Sequence, residues 1–101
     1  SRIGRKNLEE VVRFGIPLRT AFFSMKYQRS PAPLVCAVVV SKKVAKKAVE
    51  RNRIRRAAYR ALTAHTKTKN GKLVLFIQKI PAAPPTPTFA KDLEAVWGKI
   101  Q

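Results

Sequence analysis

The chain has 101 residues, of which 46% are hydrophobic, and its 22 Lys and Arg against 5 Asp and Glu give a formal net charge of +17. This length fits one domain over residues 1–101, and the hydrophobic content excludes a disordered basic tail. No apolar run approaches the roughly 18 residues of a membrane span and no segment resembles a signal peptide, so a cytoplasmic location without membrane contact is expected.

The first predicted element is a short helix over residues 7–14. Asn7 is the predicted N-cap, Glu9 and Glu10 fall in the first turn where acids favour a helix, and Gly15 follows the end. Pro17 then bars regular helix.

Two strands are predicted next. Residues 19–27 alternate in polarity, which places Phe23, Met25 and Tyr27 on one face of a strand. Residues 28–33 contain two prolines and are predicted to turn, and the nearly unbroken apolar run over residues 34–40 predicts a central strand. Cys36 lies in that run and is the only cysteine. It is therefore interpreted as a small core residue rather than a nucleophile, and no internal disulfide can form.

The second half predicts a basic helix over residues 46–64, a turn over residues 67–72 and a strand over residues 73–80. A proline-rich connector over residues 81–87 then leads to a last helix, capped by Thr88, with a stripe of packed residues: Phe89, Leu93, Val96, Trp97 and Ile100. The order α-β-β-α-β-α predicts a small α+β domain, an α-β sandwich with helices covering one side of a sheet.

The basic helix has two predicted sides. At 100° per residue, one side is apolar (Ile54, Ala57, Ala58, Ala61 and Leu62) and the other is polar (Asn52, Arg53, Arg56 and Arg60). A solvated helix face usually alternates charges, but Glu50 is the only acid between Glu10 and Asp92, so neighbouring cations repel one another. A polyanion would relieve this repulsion, which favours nucleic-acid binding over a merely solvated face.

The motif Val40-Ser41-Lys42-Lys43, followed by Arg51-Asn52-Arg53-Ile54-Arg55-Arg56, resembles the signature of the protein subunit of bacterial ribonuclease P. The resemblance extends over most of the chain, to a closing helix that contains Leu93-Glu94-Ala95-Val96-Trp97. The chain departs from the family pattern at Tyr59 and Arg60, where the family usually has Arg-Glu. It also has Leu8 and Val12 at the positions of two Phe that often line a cleft in the family.

This resemblance implies a fold and a function. The fold would be that of the second domain of ribosomal protein S5, with a left-handed β-α-β crossover around the basic helix. The function would be that of the non-catalytic protein subunit of the ribonuclease P holoenzyme, an endonuclease that removes the 5′ leader of precursor tRNA. The catalytic RNA, which binds magnesium, would cut the substrate, and the implied partners are that RNA and precursor tRNA, with no protein partner required.

Candidate RNA-binding residues follow from the motif and from the helix face: Lys42, Lys43, Lys46, Lys47, Arg51, Asn52, Arg53, Arg55, Arg56 and Arg60. The cations would contact phosphates, and Asn52 would order the junction of loop and helix or meet a base or sugar. The family also implies a cleft for the single-stranded leader, between the N-terminal helix and the sheet. Its candidate residues are Leu8, Val12, Phe23, Met25 and Tyr27. Core packing is the favoured alternative for Phe23 and Met25, whereas Tyr27, near a strand end, is the better candidate for the cleft.

A protein nuclease would need clustered carboxylates or a His pair, and the chain has five acids and one His without convincing spacing. His65 is predicted to close the basic helix as a positive imidazole near the C-terminus, and no zinc-ligand spacing is present. A binding protein is therefore favoured, with no catalytic or metal-ligating residue of its own. The alternatives are an rRNA-binding protein like those of the ribosome, without a role in tRNA processing, and a protein-only nuclease.

Overall fold

A computed structural model describes residues 3–66 and 68–100, without the side chains of Thr66 and Ile100. Two predictions therefore lie outside the described residues, the start of a turn at Lys67 and the packing of the Ile100 side chain. The described residues form seven elements: α1 (Arg5–Phe14), β1 (Ile16–Arg19), β2 (Phe23–Pro33), β3 (Val35–Val39), α2 (Ala48–Thr66), β4 (Asn70–Ile77) and α3 (Pro85–Ile100). The α-β sandwich is confirmed, with one more strand than predicted.

The four strands form a mixed sheet in the order β1-β2-β4-β3. β2 pairs antiparallel with β1 and β4, whereas β3 pairs parallel with β4, to which α2 connects it. The apolar run in β3 is therefore at an edge of the sheet, and the prediction of a central strand is wrong. This edge is covered by the chain itself, because Val38 N–H donates to the Tyr59 hydroxyl at 3.2 Å and the Cys36 carbonyl accepts from Ile3 N–H at 3.0 Å.

The main core lies between one face of the sheet and the pair α2 and α3. Alternate residues of β2 and β4 enter it, and α3 contributes the predicted stripe of Phe89, Leu93, Val96 and Trp97. Two edge-to-face aromatic contacts pack α3 against β2. The ring centroids of Phe23 and Phe89 are 6.4 Å apart, and those of Tyr27 and Trp97 are 5.9 Å apart. Cys36 is buried in the same core, as predicted.

Helix α1 lies on the opposite face of the sheet, so helices cover both faces rather than one. Its buried Val11 and the buried Val74 of β4 lie outside the main core cluster. Two polar contacts hold α1 to the strands: Lys72 Nζ donates to Asn7 Oδ1 at 3.2 Å, and Gln28 Nε2 donates to the Glu10 carboxylate at 3.1 Å.

Helix ends account for two wrong predictions. α1 begins at Arg5 after Gly4, with no side-chain cap, so Asn7 is not the N-cap and no acid lies in the first turn. α3 begins at Pro85 rather than after Thr88, because proline lacks the N–H that the first turn of a helix leaves unpaired. The predicted end of α1 is confirmed, since Gly15 N–H donates to the Val11 carbonyl at 2.8 Å.

Strand β2 also runs further than predicted. It continues to Pro33 through residues 28–33, which were expected to turn, and its register with β4 shifts between Gln28 and Pro33. The shift accommodates residues that cannot donate to the ladder. No helix in the described part of the chain combines the length and the apolarity that crossing a bilayer requires.

Candidate nucleic-acid interface

Helix α2 separates an apolar side from a cationic side, as predicted. Its apolar stripe is buried in the main core: Ile54, Ala57, Ala58, Ala61 and Leu62. The side chains of Asn52, Arg53, Arg56 and Arg60 are exposed. The core therefore fixes the rotation of α2 and directs this row of Arg toward solvent.

The loop before α2 adds four exposed Lys to this row. Val44 and Ala45 N–H both donate to the Ser41 carbonyl at 3.1 Å, and the buried Ala45 anchors the turn. Lys42 and Lys43 precede this anchor, and Lys46 and Lys47 follow it. We call the exposed cations of loop and helix the basic surface: Lys42, Lys43, Lys46, Lys47, Arg53, Arg56 and Arg60.

Arg51 ties this loop to the helix. Its Nη1 donates to the carbonyls of Ala45, at 3.0 Å, and Lys46, at 2.8 Å, and the residue is half-buried. Arg51 therefore performs the junction-ordering role that was predicted for Asn52. A guanidinium engaged in this way has fewer free donors for a phosphate than the exposed Arg53.

Asn52 instead positions a neighbouring cation. Its Oδ1 accepts a hydrogen bond of 2.7 Å from Nη1 of Arg55, one turn further along α2. This contact restricts the rotation of the guanidinium, and a fixed planar fork loses less entropy when it meets a phosphate. Asn52, as the acceptor, and Arg55, as the planar donor, thus act as a pair three residues apart on the helix.

The cleft is a cavity of about 540 Å³ between α1 and the sheet. Its described lining consists of Val12, Pro17, Leu18, Arg19, Ser24, Met25, Lys26 and Phe76. Val12 is therefore at the predicted place, whereas Leu8 is half-buried on α1 and does not line this cavity.

Phe23, Met25 and Tyr27 do not form the predicted cleft surface. They are 0%, 1% and 7% exposed and face the main core, so core packing is correct for all three and the choice of Tyr27 for the cleft is wrong. Tyr27 donates its hydroxyl to the Asn70 carbonyl at 2.6 Å. Met25 borders the cavity but is almost fully buried there.

Of the cleft residues that were missed, Pro17, Leu18 and Arg19 lie on β1, and the others lie on the α1 side of β2 and β4. Ser24 and Lys26 alternate with the three core residues, and Phe76 lies opposite Ser24 on β4. The period of two in β2 could have indicated Ser24 and Lys26. Phe76 required the pairing of β2 with β4, which connects residues far apart in sequence.

Neither His65 nor Cys36 has the properties of a catalytic group here. Burial lowers the pKa of His65 from its ordinary value, with an opposing contribution from Glu94 and a reinforcing one from Lys69. Its ring lies 5.5 Å from that of Trp97, and the lowered pKa disfavours the predicted positive imidazole. Burial also raises the pKa of the Cys36 thiol to about 11, which keeps it protonated. The described residues contain no group of three or more His, Cys, Asp or Glu that could hold a metal ion.

Comparisons with known proteins agree on one family. The Ribonuclease P family model matches residues 3–101. The RNase P protein of Thermotoga maritima is similar over 100% of this chain and 98% of its own, with a TM-score of 0.83 and 17% identity. That of Staphylococcus aureus is similar over 99% of this chain and 94% of its own, with a TM-score of 0.80 and 20% identity. Curated protein sequences give no significant match.

At these identities the two structures establish the shared fold, and the family model covers almost the whole chain. This chain belongs to the ribonuclease P protein family.

Proposed function

We propose that the basic surface binds the catalytic RNA of ribonuclease P and that the cleft binds the 5′ leader of precursor tRNA. The observation that carries the proposal is that α2 has two different sides. Its apolar stripe is buried in the main core, and its other side and the preceding loop present seven exposed cations. Glu50 is the only acid between Glu10 and Asp92, so a single carboxylate in this stretch opposes the charge of all these cations. RNA phosphates would neutralise these charges and release counterions, which supplies affinity without base recognition.

Strand β3 links the cleft to the loop of the basic surface. Strand β3 ends at Val39, which is in register with Phe76 of the cleft, and the basic surface begins at Lys42. We infer that a single strand that leaves a structured RNA on the basic surface enters the cleft from the β3 side. Arg19 and Lys26 would meet its phosphates there, which favours a single-stranded polyanion as the occupant.

In this proposal the chemistry belongs to the RNA. The side chains described above do not fit a metal ion, so the magnesium needed for cleavage would be held by the catalytic RNA. The protein would supply affinity for the leader and would reduce phosphate repulsion between the two RNAs.

Reconstitution tests this function. The chain mixed with a bacterial ribonuclease P RNA should cleave precursor tRNA at a magnesium concentration at which the RNA alone is slow, and the chain alone should cleave nothing. The double variant Arg53→Ala and Arg56→Ala should lose this stimulation, whereas Lys91→Ala and Lys99→Ala, which remove two exposed charges from α3, should retain it. Cleavage by the protein alone would favour a protein nuclease, and RNA binding without stimulation would favour an rRNA-binding protein.

A further inference from the structure

One row of side chains crosses all four strands on the cleft face of the sheet. Arg19 of β1 is paired with Ser24 of β2, Ser24 with Phe76 of β4, and Phe76 with Val39 of β3. Residues that are directly opposite in neighbouring strands point to the same face. The row therefore forms a continuous surface from one edge of the sheet to the other.

The chemistry of this surface changes along the row. The two positions on β3 and β4, Val39 and Phe76, are apolar, and Val39 is 37% exposed. The two further positions, Ser24 and Arg19, are polar, and Lys26 of the adjacent row adds a second cation. An apolar part followed by a cationic part matches a nucleotide chain, in which a base is stacked and the next phosphates are neutralised.

Phe76 provides the aromatic surface in this cleft. Among the described residues that line the cavity, it has the only aromatic ring, and the α1 residue in this lining is Val12. Its neighbours Leu75 and Ile77 point into the main core and are buried, whereas Phe76 points to the other face and is half-buried. The main core therefore does not require a ring at this position.

We propose that Phe76 is the residue on which a base of the leader stacks, with Lys26 and Arg19 holding the following phosphates. The assignment rests on the proposed function and specifies how the cleft recognises its substrate. Stacking accepts any base, so this chain should bind leaders of different sequence with similar affinity. In this chain the aromatic contact is thus made by the sheet rather than by the helix.

The test uses the holoenzyme reconstituted with a bacterial ribonuclease P RNA. Its dissociation constant is measured for precursor tRNA with an ordinary leader and for the same RNA with abasic leader residues. Phe76→Leu retains an apolar side chain of similar volume, and Phe76→Tyr retains the ring. Phe14→Leu is the matched control, because Phe14 is 67% exposed and does not line the cavity.

For the ordinary leader, Phe76→Leu should weaken binding about 5- to 140-fold, the range expected for one lost stacking contact. It should have little effect on the abasic leader, while Phe76→Tyr and Phe14→Leu should behave like the unchanged chain. Lys26→Gln should weaken both substrates alike, because abasic residues retain their phosphates.

Two results would overturn the assignment, and they can be distinguished. If the unchanged holoenzyme prefers the ordinary leader and Phe76→Leu keeps that preference, the stacking residue lies elsewhere and the proposed function stands. If the unchanged holoenzyme binds precursor tRNA no better than mature tRNA, the leader is not bound by the cleft and both proposals fail. A melting curve for each variant verifies that it is folded.

Discussion

Arg53 and Ile54 are adjacent in sequence but point in opposite directions, so their substitution separates binding from folding. Ile54 is 0% exposed within the main core, and Ile54→Ala should reduce the free energy of unfolding by about 2–5 kcal/mol. Arg53 is exposed, and Arg53→Ala should change that free energy by no more than about 0.5 kcal/mol. Urea denaturation followed by the fluorescence of Trp97 measures both.

RNA binding should show the opposite ranking. If roughly six cations neutralise phosphates, the plot of log affinity against log salt should have a slope of about −4 to −5. Loss of Arg53 should make the slope shallower by about 0.7–0.9, and Ile54→Ala should leave it unchanged wherever the variant is folded. A stability loss confined to Arg53→Ala, or a flat salt dependence of the unchanged chain, would refute the orientation of α2 or its role as the interface.

Three further predictions concern titration, thiol chemistry and anions. Because burial lowers the pKa of His65, the unfolded chain binds its proton more tightly, and stability should fall as the pH drops from about 6.5 through the lowered value. His65→Gln should make the urea midpoint less dependent on pH in this range, and a stability that rises on acidification would contradict the lowered pKa of His65. Cys36, with its pKa raised to about 11, should react with iodoacetamide far more slowly in the folded chain than in urea, and equal rates would contradict its burial. Sulfate or pyrophosphate should raise the melting temperature, more for the unchanged chain than for Arg53→Ala with Arg56→Ala; an equal rise would locate the bound anion elsewhere.

Local periodicity predicted the parts of the site that lie on one element. The apolar and cationic sides of α2 follow from 3.6 residues per turn, and burial of Ile54 and exposure of Arg53 confirm both. The stripe of α3 follows from the same rule. The RNA-binding role of each cation remains a prediction, because exposure alone does not identify a ligand.

Features that depend on contacts between distant residues could not be predicted from local patterns. The prolines in residues 28–33 indicated a turn, yet this segment is a strand, because a register shift tolerates a missing N–H. The face of Phe23, Met25 and Tyr27 could not be assigned, since alternation shows which residues share a face but not which helix covers it. Phe76 could be assigned to the cleft only from the pairing of β2 with β4.

The start of α2 shows how binding and stability oppose each other in this fold. Four Lys precede the helix at its N-terminus, where the macrodipole is already positive, so the free chain concentrates repulsion there. Glu50 in the first turn and the hydrogen bonds from Arg51 to the loop carbonyls offset part of it locally. The same N-terminal N–H groups and cations become favourable once phosphates arrive, because both the dipole and the side chains then face negative charge. A less basic loop would stabilise the free protein but would remove the electrostatic driving force for RNA, so the strain of like charges is inherent in the binding function.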